Sequence, residues 1–166
     1  MTQRRSVNWS RALVYGLLPG LALLLAMAGG LLKWKDSSMR EIEIARSESV
    51  SAAKDSTVAV LTFRSDTVDR DVAAARDRLT GGFLNTYTQR TQQELIPNAR
   101  QRRVIASASV PAAASESVTP NHAVVLLFVT QAVRIADAPT AETASSVRVT
   151  LDKIGARWLI SDFDQY

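Results

Sequence analysis

The sequence predicts an α+β protein in which an N-terminal helical region precedes a small domain of helices and antiparallel strands. Two changes in pattern along the chain predict this class. An uncharged apolar run fills residues 12–32, and apolar residues then recur at helical spacing as far as Tyr87. From Val104 onward apolar and polar residues tend to alternate, which is typical of strands with one buried face. Because helical patterns come first and strand patterns follow, the two kinds of element should segregate within the domain.

The apolar run at residues 12–32 contains nine leucines and no charged residue. A helix of this length would extend about 31 Å, which matches the hydrocarbon thickness of a bilayer. Three arginines and no acidic residue precede the run, and Lys33 follows it at once. The pattern predicts a single transmembrane helix with residues 1–11 as a cytoplasmic tail, because basic flanks stay on the cytoplasmic side. The alternative is a signal peptide cleaved at the small residues Ala26 to Ala28.

Small residues form rows along the predicted span. Gly16 and Gly20 make a G-x-x-x-G step, and such a step lets a second helix approach closely. We predict these two glycines as helix-packing residues, although a span rich in alanine and glycine also produces this spacing through its composition alone.

Residues 33–63 are predicted to form a helix, because their apolar residues recur at helical spacing. The apolar stripe is thin and rich in alanine, which suits a stalk. The extracytoplasmic domain is then assigned to residues 64–166. Gly81-Gly82 should divide its first helical region into two helices or bend one helix sharply, and Pro97 should end the second part. This region carries a stronger apolar stripe, whose members lie three or four residues apart, at Val72, Ala75, Leu79, Phe83 and Tyr87.

Three or four antiparallel strands are expected to follow the helices. Residues 104–110 and 147–151 alternate in polarity, while residues 123–135 form a long β-branched run suited to a central strand. The segment from Pro111 to Pro120 is loosely patterned and should contain a break or a bulge. Gly155 should turn the chain into a last strand that begins at Arg157.

Charge and composition argue against several classes of protein. From Lys33 onward, 17 lysines and arginines balance 16 acidic residues, so this part is nearly neutral and nucleic-acid binding is not expected. The absence of cysteine excludes disulfides and thiol catalysis.

No catalytic, cofactor or metal site is predicted, and the protein is not expected to be an enzyme. His122 is the only histidine, and a general base needs an orienting partner and a substrate cavity, which the sequence does not indicate around it. The acidic cluster at Asp66, Asp69 and Asp71 lacks the glycine and distal glutamate of a calcium loop, so helix capping is the favoured interpretation. No small-molecule substrate is therefore expected.

Aromatic side chains raise a further question about the interior of the domain. Phe83, Tyr87 and Trp158, together with Phe163, could line a cavity large enough for a lipid. Packing within an ordinary core is the simpler interpretation of the same residues, and we favour it.

Three stretches of the sequence form a pattern that covers almost its whole length. The first is the short basic N-terminus with its span and alanine-rich stalk. The second is AARDRLTGGFLNTYTQ, residues 74–89, and the third is RVTLDKIGARWLISDFDQY, residues 148–166. This pattern resembles the Mce-associated membrane proteins of bacterial lipid-import systems. The resemblance implies a cone-shaped domain of the nuclear-transport-factor or SnoaL-like class, with helices on a curved antiparallel sheet.

The resemblance also implies a function. It suggests a non-enzymatic accessory subunit, anchored in the cell membrane, that stabilises or assembles an Mce-type lipid transport complex. Its expected partners are the Mce and permease subunits of that complex and membrane lipids, with no cofactor. Two alternatives stay open: an extracytoplasmic lipid-binding module, and an assembly factor of a secretion channel, since similar anchored cones occur in type IV secretion systems.

Overall fold

The computed structural model describes residues 18–166, with side chains for Met27 and from Met39 onward. The chain divides into two compact units, Met1–Glu41 and Ile42–Tyr166. The first helix, α1, is continuous over Leu18–Leu61, so it begins in the first unit and ends in the second. The described part of the first unit is entirely helical.

The predicted transmembrane helix at residues 12–32 begins outside the described residues, and so does Gly16 of the predicted packing pair. Gly20 lies in α1, near its start. Across residues 18–166, no helix combines the length and the apolar character that crossing a membrane requires. The span and its packing pair stay predictions.

Four short helical segments follow α1 within the second unit. Helix α2 covers Val68–Arg76 and helix α3 covers Gly81–Arg90. A π-helical turn at Thr91–Leu95 then leads directly into helix α4 at Ile96–Arg102. The chain therefore breaks at the paired glycines, as predicted, and Gly81 adopts a φ of +59°, which favours glycine.

The prediction that Pro97 ends the second of these helices is wrong. Pro97 lies in the first turn of α4, where its missing N–H costs little because first-turn N–H groups lack partners within their own helix. The π-helical turn just before Pro97 is wider than an α-helical turn, and the chain continues through it as a helix. The helix ends instead at Arg103, which adopts the left-handed conformation with a φ of 52°.

Five strands form one antiparallel sheet in chain order, so the prediction of three or four strands is wrong. The additional strand is β1, which has only two residues, Phe63–Arg64, and pairs with Ile105 and Ala106. Two residues are too few to show the alternation by which strands are recognised. The other strands are β2 at Val104–Val118, β3 at His122–Ile135, β4 at Ala141–Ile154 and β5 at Arg157–Gln165.

Strand β2 continues through Pro111, in the segment where a break or a bulge was predicted, and the bulge is confirmed. The ladder between β2 and β3 shifts register between Ser109 and Ala112, as a β-bulge does, and Pro111 lies inside that shift. Strand β1 pairs with β2 only as far as Ala106. Proline is tolerated here because no described strand needs its N–H on that edge.

One face of the sheet forms the core of the second unit. Buried residues of β3 and β4 lie directly opposite each other in register, as in Leu127 with Val147 and Val125 with Val149. Helix α1 closes this core with small residues, including Ala45 and Ala53. A smaller cluster of Val68, Val72 and Ala99 joins α2 to α4.

A buried hydroxyl on α1 gives a test of this packing. Thr57 is fully buried, and its Oγ1 has no hydrogen-bond partner among the described residues. We expect Thr57→Val to raise the free energy of unfolding by about 1 kcal/mol, because valine keeps the shape and removes an unpaired polar atom. Urea unfolding of the full chain, followed by tryptophan fluorescence, measures the change.

Thr62→Val is the matched control for this substitution. The hydroxyl of Thr62 accepts a hydrogen bond from the backbone N–H of Ala108 at 3.1 Å, so its removal should lower stability by about 1 kcal/mol. Equal losses for Thr57→Val and Thr62→Val would contradict the assignment of Thr57 as unpaired.

Candidate functional site

A cleft of about 660 Å³ lies within the second unit and is partly open to solvent. It is bordered by the end of α1, by β1, by the segment from α3 to α4 and by the ends of β2 and β5. We call it the aromatic cleft, and its main apolar wall residues are Phe63, Phe83, Tyr87, Leu95, Val104 and Phe163.

The aromatic rings in the cleft contact one another in a fixed arrangement. Phe83 of α3 and Phe163 of β5 stack with ring centroids 5.6 Å apart and ring planes inclined by 4°. Tyr87, one helical turn after Phe83, packs at 6.1 Å from it with a tilt of 50°. All three rings are only partly buried, so the cleft presents them as a wall and does not enclose them in a core.

Polar side chains border the same cleft, and they include Arg90, Glu94, Asn98 and Gln165. Burial raises the pKa of Tyr87 to about 12, because removal from water disfavours the phenolate. Its hydroxyl is therefore protonated at any physiological pH and can donate a hydrogen bond.

Trp158 does not line the aromatic cleft. It is 6% exposed and belongs to the main core. Its indole N–H donates to Glu48 of α1 at 3.1 Å, and Lys153 Nζ donates to the same carboxylate oxygen at 2.8 Å. Trp158 therefore joins the sheet to the helix, while Phe83 and Tyr87 lie along the cleft.

The carboxylate that joins these groups should make stability depend on pH. The hydrogen bond from Lys153, and then that from Trp158, holds the pKa of Glu48 below its usual value of 4.5. A lowered carboxyl pKa stabilises the fold above the usual pKa and loses that effect as the pH falls through the lowered one. We expect Lys153→Met to lower the urea midpoint at neutral pH, and the difference from the wild type should disappear once the pH falls below the lowered pKa of Glu48.

Lys54→Met is the control. Lys54 lies on α1, the helix that carries Glu48, and it forms no ion pair among the described side chains. It should leave both the midpoint and its pH dependence unchanged. A Lys153→Met protein that differs from the wild type equally at all pH values would contradict this role for Glu48.

His122 forms a pair with Asp152, away from the aromatic cleft. Its Nδ1 lies 2.7 Å from a carboxylate oxygen of Asp152, and both side chains are substantially exposed. The hydrogen bond with His122 is the main reason why the pKa of Asp152 is lowered. The pair joins neighbouring positions of β3 and β4, which are in register.

The acidic cluster makes local contacts around α2. Thr67 occupies the N-cap position but does not cap; its hydroxyl donates to Asp71 at 2.6 Å. Asp71 also accepts the backbone N–H of Arg64 at 3.1 Å, and Asp69 pairs with Arg100 of α4. The helix capping predicted for this acidic cluster is thus corrected to contacts that tie α2 to β1 and α4.

Several residues of the aromatic cleft were not predicted from the sequence. Arg90 and Glu94 continue the helical spacing of Phe83 and Tyr87, so extending that stripe past its apolar members would have found them. Phe63 lies in the two-residue strand β1 and gave no such signal.

A family model described as "Uncharacterized protein Rv1363c/MT1408-like" matches residues 16–164. The chain belongs to this family. A relative, the outer membrane protein Rv1973 of Mycobacterium tuberculosis, is 55% identical over 159 residues, which cover 95% of this chain and 99% of that protein.

Solved structures share the fold at low sequence identity. An IcmL-like type IV secretion system protein of Legionella pneumophila superposes with a TM-score of 0.62 at 9% identity, covering 73% of this chain and 91% of that one. The VirB8 protein of Agrobacterium tumefaciens gives a TM-score of 0.57 at 10% identity, covering 70% and 88%. This chain therefore contains an α+β domain with the fold of these proteins.

Proposed function

We propose that this protein is a non-enzymatic, membrane-anchored accessory subunit that stabilises or assembles an Mce-type lipid transport complex. In this proposal the apolar run at residues 12–32 anchors it in the cell membrane. Residues 1–11 lie in the cytoplasm, and the α+β domain lies outside it.

The fold carries this proposal. Its solved examples include components of type IV secretion systems, which are multi-protein assemblies in the bacterial envelope. The periplasmic domain of DotI shares it too, with a TM-score of 0.56. A domain of this kind is suited to holding other envelope subunits together. The sequence relative named an outer membrane protein agrees with a place in the envelope.

The sequence resemblance favours an Mce-type complex as the assembly that this protein joins. Residues 74–89 and 148–166 resemble Mce-associated proteins, and both segments are built into the fold. The first forms the junction of α2 and α3, where Thr80 N–H donates to the carbonyl of Ile160 at 2.8 Å. The second spans β4 and β5. The secretion-channel assembly factor stays the alternative, and the partners recovered in an experiment distinguish the two.

Topology can be tested directly because the chain contains no cysteine. Single cysteines at Ser6→Cys and Ser117→Cys place one thiol before the predicted span and one in the domain, where Ser117 is exposed. A membrane-impermeant maleimide should label Ser117→Cys in intact spheroplasts and Ser6→Cys only after lysis. The reverse pattern would contradict the proposed orientation.

Co-purification from native membranes in mild detergent tests the accessory role. The tagged full chain should recover Mce-type solute-binding and permease subunits. One control replaces residues 12–32 with an unrelated span of equal length, and another ends the chain at Glu41, the boundary of the first unit. Both controls should recover less if anchor and domain are each needed. Recovery of the chain alone at every detergent strength would contradict the proposal.

A further inference from the structure

The aromatic cleft has the size and lining of a binding site. Its volume of about 660 Å³ falls within the ~300–1,000 Å³ range of small-molecule sites. Its walls are mainly apolar, with the stacked rings of Phe83 and Phe163 on one side. A hydrocarbon chain against these rings would remove their exposed surface from water, which is favourable by about 25 cal/mol per Å².

Two unpaired hydrogen-bond donors border the same cleft. The Tyr87 hydroxyl makes no hydrogen bond to any described residue, and its ring is partly buried. Arg90, close along the same helix, forms no ion pair within residues 39–166. Arg90 is exposed and Tyr87 is partly buried, so both donors are accessible to a ligand that brings a hydrogen-bond acceptor into the cleft.

Charge limits what that acceptor can be. Arg90 and Glu94 both line the cleft, so its lining has one positive and one negative group. A guanidinium binds a carboxylate through two parallel N–H donors, and a single negative charge is then matched. A phosphate of higher charge would lie near Glu94 without a second cation to balance it.

We propose that the aromatic cleft binds a single-chain carboxylate amphiphile of the fatty-acid class. Its hydrocarbon chain lies against Phe83 and Phe163, and its carboxylate accepts hydrogen bonds from Arg90 and the Tyr87 hydroxyl. This binding does not depend on the transport complex, so the two proposals can fail separately.

The test uses the full chain in phosphatidylcholine nanodiscs and a palmitic acid that carries a photoreactive diazirine. Labelling should saturate, and mass spectrometry should locate it on peptides that contain Phe83, Leu95 or Phe163. Unlabelled palmitic acid should compete, whereas hexadecyltrimethylammonium, with the same chain and a cationic head, should not.

Three variants separate the head-group contact from general effects. Arg90→Gln should raise the half-saturating concentration about tenfold, since it removes a charge-assisted pair. Glu94→Gln should lower that concentration, because it removes the repulsive charge. Arg76→Gln, an exposed position on α2 that does not line the cleft, should leave it unchanged. Near-ultraviolet circular dichroism checks that each variant is folded.

Several results would overturn the proposal. These are labelling that never saturates, labelling located outside the cleft, equal competition by the cationic amphiphile, or equal effects of Arg90→Gln and Arg76→Gln. Co-purification of the Arg90→Gln variant is measured in parallel. It should recover the same partners as the wild type, which distinguishes loss of the ligand from loss of the assembly role.

Discussion

Truncation of Leu127 to alanine should lower the free energy of unfolding by about 3–4 kcal/mol, the range for leucines in well-packed cores. Leu127 is fully buried at the centre of β3 and lies opposite Val147 of β4. Alanine would leave a cavity that neighbouring strands cannot fill, because both are held by their ladders. Small domains are stable by only about 5–15 kcal/mol, so this is a large fraction of the total.

Leu126 offers a control on the same strand. It points to the opposite face of the sheet and is only partly buried. Leu126→Ala should therefore cost about 1 kcal/mol. Urea unfolding of both variants measures the difference, and equal losses would mean that the two faces of β3 do not differ as described.

Enlargement of Ala53 to leucine should destabilise the domain by about 1–3 kcal/mol, because a packed interface has no space for three more carbons. Ala53 is fully buried where α1 meets the main core. The buried positions of α1 in this region are small, and they include Ala45 and Ser49. The helix can lie close to the sheet only while these side chains remain small.

Ser51→Leu tests whether the cost arises from that interface. Ser51 is exposed on the same helix, so a leucine there should change the free energy of unfolding by less than about 0.5 kcal/mol. A similar loss for both variants would point to an effect of leucine on the helix itself.

Much of the sheet could be predicted because its residues alternate. Val147, Val149 and Leu151 are buried on β4, and the intervening residues are less so. What could not be predicted depends on partners far away in sequence. Strand β1 exists only because it pairs with residues 105 and 106, and Pro111 is tolerated only because β2 has a free edge there.

The candidate site could be predicted only in part, because some of its contacts also depend on residues far away in sequence. Phe83 and Tyr87 stood out through their helical spacing, and they do lie side by side. Trp158 has an equally apolar setting in the sequence but donates to Glu48, 110 residues earlier. Spacing along the chain cannot indicate which aromatic residue meets a carboxylate from another element and which remains at a cleft.

The edge of β2 that carries Pro111 has a consequence for the behaviour of the protein in a crowded envelope. Beyond Ala106 no described strand covers this edge, and an open edge of small residues can recruit a strand from a neighbouring molecule. Pro111 offers no N–H to such a strand. The register shift around it bends β2, so this edge of the sheet is not flat. The irregularity therefore protects against strand-by-strand aggregation while leaving the buried face of the sheet intact.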